Sequence, residues 1–143
     1  DIAQCLVGSE MCIRDRLEIR FLLEPSIAAK AAENASADDA EHILDLCAEA
    51  ERLLEEGRDH TAKDIEFHTA IGMSSKNMVV PRLIPIINSS IPLFIDLTEN
   101  VLSRETIDTH REIADAILSH DPVRAHDAMY LHLVYNRRRI HSV

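Results

Sequence analysis

"DIEFHTAIG", residues 64–72, decides how the fold is read. The stretch reads as a helix whose apolar residues are Ile65, Phe67 and Ile71. Asp64 and His68 stand four apart, so on a helix they lie on one face a turn apart, and Ile71 continues that stripe at i+7. A carboxylate and an imidazole therefore point together toward whatever the stripe covers.

Working outward, everything from Leu17 onward reads as helix. Three glycines in the whole chain, 3% aromatic residues and long runs of Ala, Leu, Glu, Ile and Arg favour helix and give strands little support. "LEIRFLLEPSIAAKAAENAS" is a first helix with a kink or restart expected at Pro25. Ser36 caps a second, with Asp39 at the capping-box position, Ile43, Cys47, Ala50 and Leu54 on its inner face and Gly57 at its end. Asp59 is placed to cap the third helix, which carries the opening stretch and runs out near "GMSSKN". The region 77–102 is expected as at least two helical pieces, because Pro85 and Pro92 each remove a backbone donor. "RETIDTHREIADAILSH" follows, and Asp121 with Pro122 opens a last helix whose Arg137, Arg138 and Arg139 suit the negative end of its dipole. With no repeat or low-complexity linker, the expectation is one all-α domain, an antiparallel helical bundle of about six to seven helices.

The bulk properties narrow the function. At 143 residues the chain is long enough to bury a core as one domain. A formal charge of −10 argues against its holding a phosphate backbone by itself, which requires concentrated Lys and Arg. The greasiest stretch, "VVPRLIPIINSSIPLFIDL", is broken by Arg82 and three prolines, so no membrane span is expected. Three cysteines without CxxC spacing suggest neither a disulfide framework nor a zinc ribbon, and a reducing cytoplasm fits best.

The first sixteen residues, "DIAQCLVGSEMCIRDR", read differently. They hold two of the three cysteines and lack an N-cap followed by a periodic apolar face, yet match neither a signal nor a transit peptide. "CLVGSEMCIRDR" also resembles translated sequencing-adaptor read-through at the ends of metagenomic fragments. Residues 1–16 are accordingly expected to be a non-native or disordered leader, residues 17–143 the domain, and the chain a truncated piece of a longer protein.

Eight histidines can be sorted by face. His110 shares a stripe with Ile107, Ile113, Ala114 and Ile117. His132 lines up with Ala125, Ala128, Met129 and Tyr135, whereas His126, six residues earlier, is rotated about 240° away by the 3.6-residue period. His42, His60, His120 and His141 read as surface or capping residues. Three inward histidines and Asp64 thus lie on apolar faces of three helices. A buried carboxylate is costly unless paired or metal-bound, and imidazoles with a carboxylate are a divalent-metal ligand set. An Asp–His ion pair with two unrelated core histidines explains the facing equally well.

These segments also resemble a known family. "DIEFHTAIGMSSKN" is similar to the D-x-x-F-H then N signature of the FCD domain, the effector-binding and dimerisation half of FadR-subfamily regulators in the GntR family. "THREIADAI", "DPVRAHDAM" and "LHL" resemble its later segments, and "EIRFLLEPSIAAKAA" its first helix, with Arg20 and Glu24 as R-x-x-x-E. The resemblance covers about residues 17–140, in order. It implies Asp64, His68, His110 and His132 as metal ligands, all four present, unlike the acyl-CoA-binding branch. It also implies a cavity for a small effector, commonly an organic acid.

Four protein ligands leave a six-coordinate ion two open positions for water or a chelating carboxylate. Zinc is the expected metal, with nickel or manganese the alternatives. Arg20 is a candidate to bind the effector's carboxylate in bidentate fashion, or else a surface arginine pairing with Glu24. Asn77 is a second effector candidate, or else a helix cap. Such regulators read DNA through an N-terminal winged helix-turn-helix, which these residues do not supply, so DNA contact is expected only through a missing domain. The expected function is a metal-dependent, organic-acid-sensing, homodimerising module of a bacterial transcription regulator. A metal-dependent hydrolase-like enzyme is one alternative, disfavoured because the inward set offers no spare Glu or His as general base. A purely structural bundle is the other.

Overall fold

The computed structural model describes residues 10–97 and 104–141, and among these the chain forms six helices and no strand. They are α1 (Glu10–Asn34), α2 (Ala37–Glu55), α3 (Thr61–Ser74), α4 (Val80–Leu97), α5 (Arg104–Leu118) and α6 (Pro122–His141). This is the all-α bundle expected. The helix ends follow local chemistry. Ser36 Oγ accepts from Asp39 N at 3.1 Å while Ser36 N donates to Asp39 Oδ2 at 2.9 Å, closing a capping box on α2. Gly57, at φ +66°, lets the chain turn away from the end of α2. Asp59 Oδ1 takes the Thr61 N–H at 2.9 Å, and Asp121 Oδ1 takes that of Arg124 at 3.0 Å ahead of α6.

Those stops set the helices against one another. α1 lies along α6 and also meets α3, α4 and α5; α3 packs on α2 and α4, and α5 on α6 and α2. Phe67 and Ile71 of α3, Ile43 of α2, Ile113 and Ile117 of α5 and Met129 of α6 fill the centre and are all but sealed from solvent. Buried alanines (Ala28, Ala31 and Ala32 on α1, Ala114 and Ala116 on α5, Ala125 on α6) let backbones approach closely without side-chain entropy cost. Gly72 serves the same end between α3 and α4, since a Cβ there would stand 2.9 Å from Ile84 Cδ1.

Two expectations change. α1 runs through Pro25 without a restart, and α4 is one helix through both Pro85 and Pro92 rather than two pieces. An interior proline costs on the order of 3 kcal/mol locally, but tertiary burial holds the turns on either side. Ile84, Ile87, Ile91 and Ile95 bury one face of α4, and Ile27, Ala28 and Ala31 do so after Pro25.

Residues 10–16, assigned above to the leader, form the opening turns of α1. Cys12, Ile13 and Leu17 are buried, and Arg16 Nη1 donates to Ser89 O on α4 at 3.1 Å. That apolar face is sparse and shared with arginines, so it carries little periodic signal. Residues 1–9 lie outside the described residues. Among the described residues no helix is long and apolar enough to cross a membrane.

Candidate metal centre

The periodicity that buries Phe67 and Ile71 also turns Asp64 and His68 of α3 inward, where they meet His110 of α5 and His132 of α6. One ring nitrogen from each of the three histidines lies within 4.8 Å of the others. Asp64 Oδ1 stands 3.4 Å from His68 Nε2 and 3.6 Å from His110 Nε2. Donors each ~2.1 Å from a single ion stand roughly 3–3.5 Å apart, close to these values. Asp64 Oδ1, His68 Nε2 and His110 Nε2 are buried without a hydrogen-bond partner. Apart from facing one another at these ion-pair distances they are unsatisfied, and polar atoms left so in an interior cost about 1–3 kcal/mol each. The donor set, imidazoles with a carboxylate, fits a divalent cation.

Outer hydrogen bonds orient two of the rings. His68 Nδ1 is 2.6 Å from Glu24 Oε1, and Arg20 Nε donates to Glu24 Oε2 at 2.7 Å. Arg20 and Glu24 are only 2% and 3% exposed, so α1 carries a buried ion pair to the back of His68. On α6, His132 Nδ1 lies 3.2 Å from Thr109 Oγ1, whose own proton goes to the Glu105 carbonyl at 2.8 Å. The hydroxyl therefore accepts from Nδ1–H of His132, which leaves its Nε2 unprotonated.

These neighbours divide the protonation states. Burial opposes charge on His68, but the Glu24 carboxylate, with Asp64, outweighs it and holds the ring up at about 9. Burial pushes His110 down to about 4, the Asp64 charge opposing only in part. His132 is held well below the ordinary histidine range by burial and then by His110 and His68 beside it. Burial alone would raise Glu24; Arg20 and His68 prevail and bring it to about 2. Asp64 likewise stays well below the usual carboxylate range, burial being overcome by His68 and His110.

Asp64, His68, His110 and His132 are thus brought together, with Arg20 reaching the same region through Glu24. Arg20 does pair with Glu24, though in the interior and not on the surface. Asn77 is not brought to the cluster. It is exposed, and its Oδ1 accepts from Val79 N at 2.8 Å, capping α4. Two inward residues escaped the sequence reading. Glu24 is a spare buried carboxylate, so the inward set does hold one, but Arg20 and His68 occupy it and its low pKa makes it a poor base. His60 is buried and not on the surface; it stands at the N-cap position of α3, but its side chain makes no cap bond. The i+4 spacing of Arg20 and Glu24 hinted at the first, and no local signal marked the second.

Compared with known protein families, residues 15–135 match the FCD domain. The chain belongs to that family. FCD domains are the effector-binding domains of GntR-family regulators, and the similar proteins agree with this. An Escherichia coli protein provisionally named as an L-lactate dehydrogenase operon regulatory protein is 32% identical over 136 residues, covering 85% of this chain and 48% of its own. The galactonate operon transcriptional repressor of Escherichia coli is 27% identical over 129 residues, covering 88% of this chain and 56% of its own. The solved structure of Streptococcus agalactiae GntR superposes with a TM-score of 0.76 at 35% identity, over 88% of this chain and 58% of that one. The FCD chain thus spans about half the length of the curated relatives it matches.

Proposed function

We propose that this FCD domain is the metal-dependent sensing and dimerisation half of a bacterial transcription regulator acting in the cytoplasm, and that its effector is a small organic acid. The observation that carries the reading is the convergence of three buried, unpartnered donor atoms, on Asp64, His68 and His110, beside His132. These four residues would hold a divalent metal, zinc foremost, with nickel or manganese as alternatives. A bound ion would supply positive charge and, at six-coordination, two positions open to a carboxylate. Arg20 is the second anchor. Its Nε is engaged by Glu24, and among the described residues that is its one hydrogen bond, so its terminal N–H groups suit an acid's carboxylate. Lactate and galactonate, for which the operons of two relatives are named, are both 2-hydroxy acids, and that class is the effector proposed here.

The dimer contact is placed on α1 and α4. Ile19 and Leu22 of α1 and Ile86 of α4 are exposed, with Met78 and Val79 just ahead of α4, a run of apolar surface on neighbouring helices. DNA binding is assigned to an N-terminal winged helix-turn-helix of the whole regulator. An effector touching several helices biases their relative packing, which is how the domain would speak to its partner domain.

A thermal-shift panel of hydroxy- and dicarboxylic acids on metal-loaded and metal-free protein tests the reading, with His68→Ala as control. An acid at a hundredfold excess over its Kd is expected to stabilise the loaded form by about 2.7 kcal/mol and the metal-free form much less. Equal stabilisation of both forms would put the effector elsewhere and overturn the sensor mechanism.

A further inference from the structure

Between α2, the start of α3 and α5 lies a small, partly enclosed cavity of about 10 Å³, whose lining includes Cys47, Glu51, Leu54, His60, Thr106 and His110. That is room for one water molecule and no more. His60 is 3% exposed, and neither of its ring nitrogens has a hydrogen-bond partner. A neutral imidazole holds one donor and one acceptor, and native interiors rarely leave both unmet.

His110, on the other side of the cavity, has a complementary deficit. Its Nε2 is turned to Asp64 at 3.6 Å. No described residue hydrogen-bonds this ring, whereas His68 rests on Glu24 and His132 on Thr109. A histidine that donates one nitrogen to a metal nearly always gives its other N–H to a neighbour, which fixes the tautomer. His110 is the member of the cluster for which no described residue supplies such a neighbour, and the small cavity it shares with His60 is where one fits.

We propose that a single buried water fills this cavity, accepting the Nδ1–H of His110 and donating to His60, which makes His60 a positioning residue for the histidine cluster. Thr106 and Cys47 line the same cavity. The link fixes His110 with Nδ1 protonated and Nε2 free to face Asp64. Its consequence for metal affinity rests on the metal reading above; the hydrogen-bond link itself does not.

The two are separated by recording imidazole nitrogen NMR spectra of the metal-free chain and, in parallel, zinc affinity by chelator competition, for wild type, His60→Phe and His60→Gln. Wild type is expected to show His110 as the Nδ1–H tautomer. His60→Phe should lose that preference and bind zinc roughly 10- to 100-fold more weakly, while His60→Gln, which can still meet the water, should keep the tautomer and most of the affinity. A wild-type His110 in the Nε2–H form overturns the proposal without reference to any variant. So does a His60→Phe protein with an unchanged tautomer, even if zinc binding falls. Should wild type take up no zinc while His60→Phe still switches the His110 tautomer, the link stands and the metal reading alone fails.

Discussion

Loading zinc onto the cluster at pH 7 is expected to release about one proton, and that proton is on His68. The ring is held up at about 9 by Glu24 and Asp64 against the opposing effect of burial, so at pH 7 it is an imidazolium. His110, pushed down to about 4, and His132, lower than usual as well, are already neutral. A metal needs an unprotonated nitrogen. Removing the His68 proton two pH units below its value of about 9, at ~1.4 kcal/mol per unit, costs about 3 kcal/mol. Apparent zinc affinity should therefore rise about tenfold per pH unit from about 6 to 8.5 and level off beyond about 9. Calorimetric titrations at one pH, in buffers of different ionisation enthalpy, count the protons directly. In Glu24→Gln the neutral amide no longer holds the charge on His68, and the count should drop well below one. Release of no proton, or of two, by the wild-type protein would refute the division of protonation states among the three rings.

Further outcomes follow from the same geometry. His132→Ala should abolish metal uptake and His126→Ala, whose ring lies half-exposed beside Asp127, should leave it intact, as read by elemental analysis after gel filtration. In urea unfolding of the metal-free protein, the His68 contribution is fully present below about 6.5 and lost as pH rises through about 9. The Glu24 contribution is present above about 4.5 and lost as pH falls through about 2. Stability that climbs steadily from pH 7 to 9 would contradict the His68 assignment. Phe67→Ala empties a fully buried site and should cost about 3–5 kcal/mol, seen as a lower denaturant midpoint at unchanged slope. Leu22→Asp should turn a micromolar dimer into a monomer in sedimentation velocity while helix content is retained; a wild-type monomer would remove the proposed α1–α4 contact.

The inward residues of α3, α5 and α6 were legible because a 3.6-residue period tells which side chains share a stripe, and Ile71, Ile113 and Met129 named the buried side. His68, His110 and His132 could be found together without knowing how the helices cross. Caps were legible for the same local reason, as at Ser36 and Asp121. Burial imposed from outside an element was not. Pro85 and Pro92 carry a real local cost, and only the isoleucines buried against neighbouring helices show why α4 continues through them. His60 precedes its helix and belongs to no stripe; it is buried because α2 and α5 close over it. Glu24 was visible as a partner for Arg20, but its approach to His68 joins residues 44 apart in sequence and depends on how α1 crosses α3.

Pro25 follows directly on Glu24, the residue that touches His68. By denying the Phe21 carbonyl its usual partner, it makes the backbone of α1 easiest to bend at the point where the helix meets the histidine cluster. The helix extends 14 residues from Glu24 back to Glu10, a lever of about 21 Å at 1.5 Å per residue. A tilt of about 5° at the proline sweeps the Glu10 end through about 2 Å. Glu24, whose carboxylate stands 2.6 Å from His68 Nδ1, sits at the fulcrum of that arm.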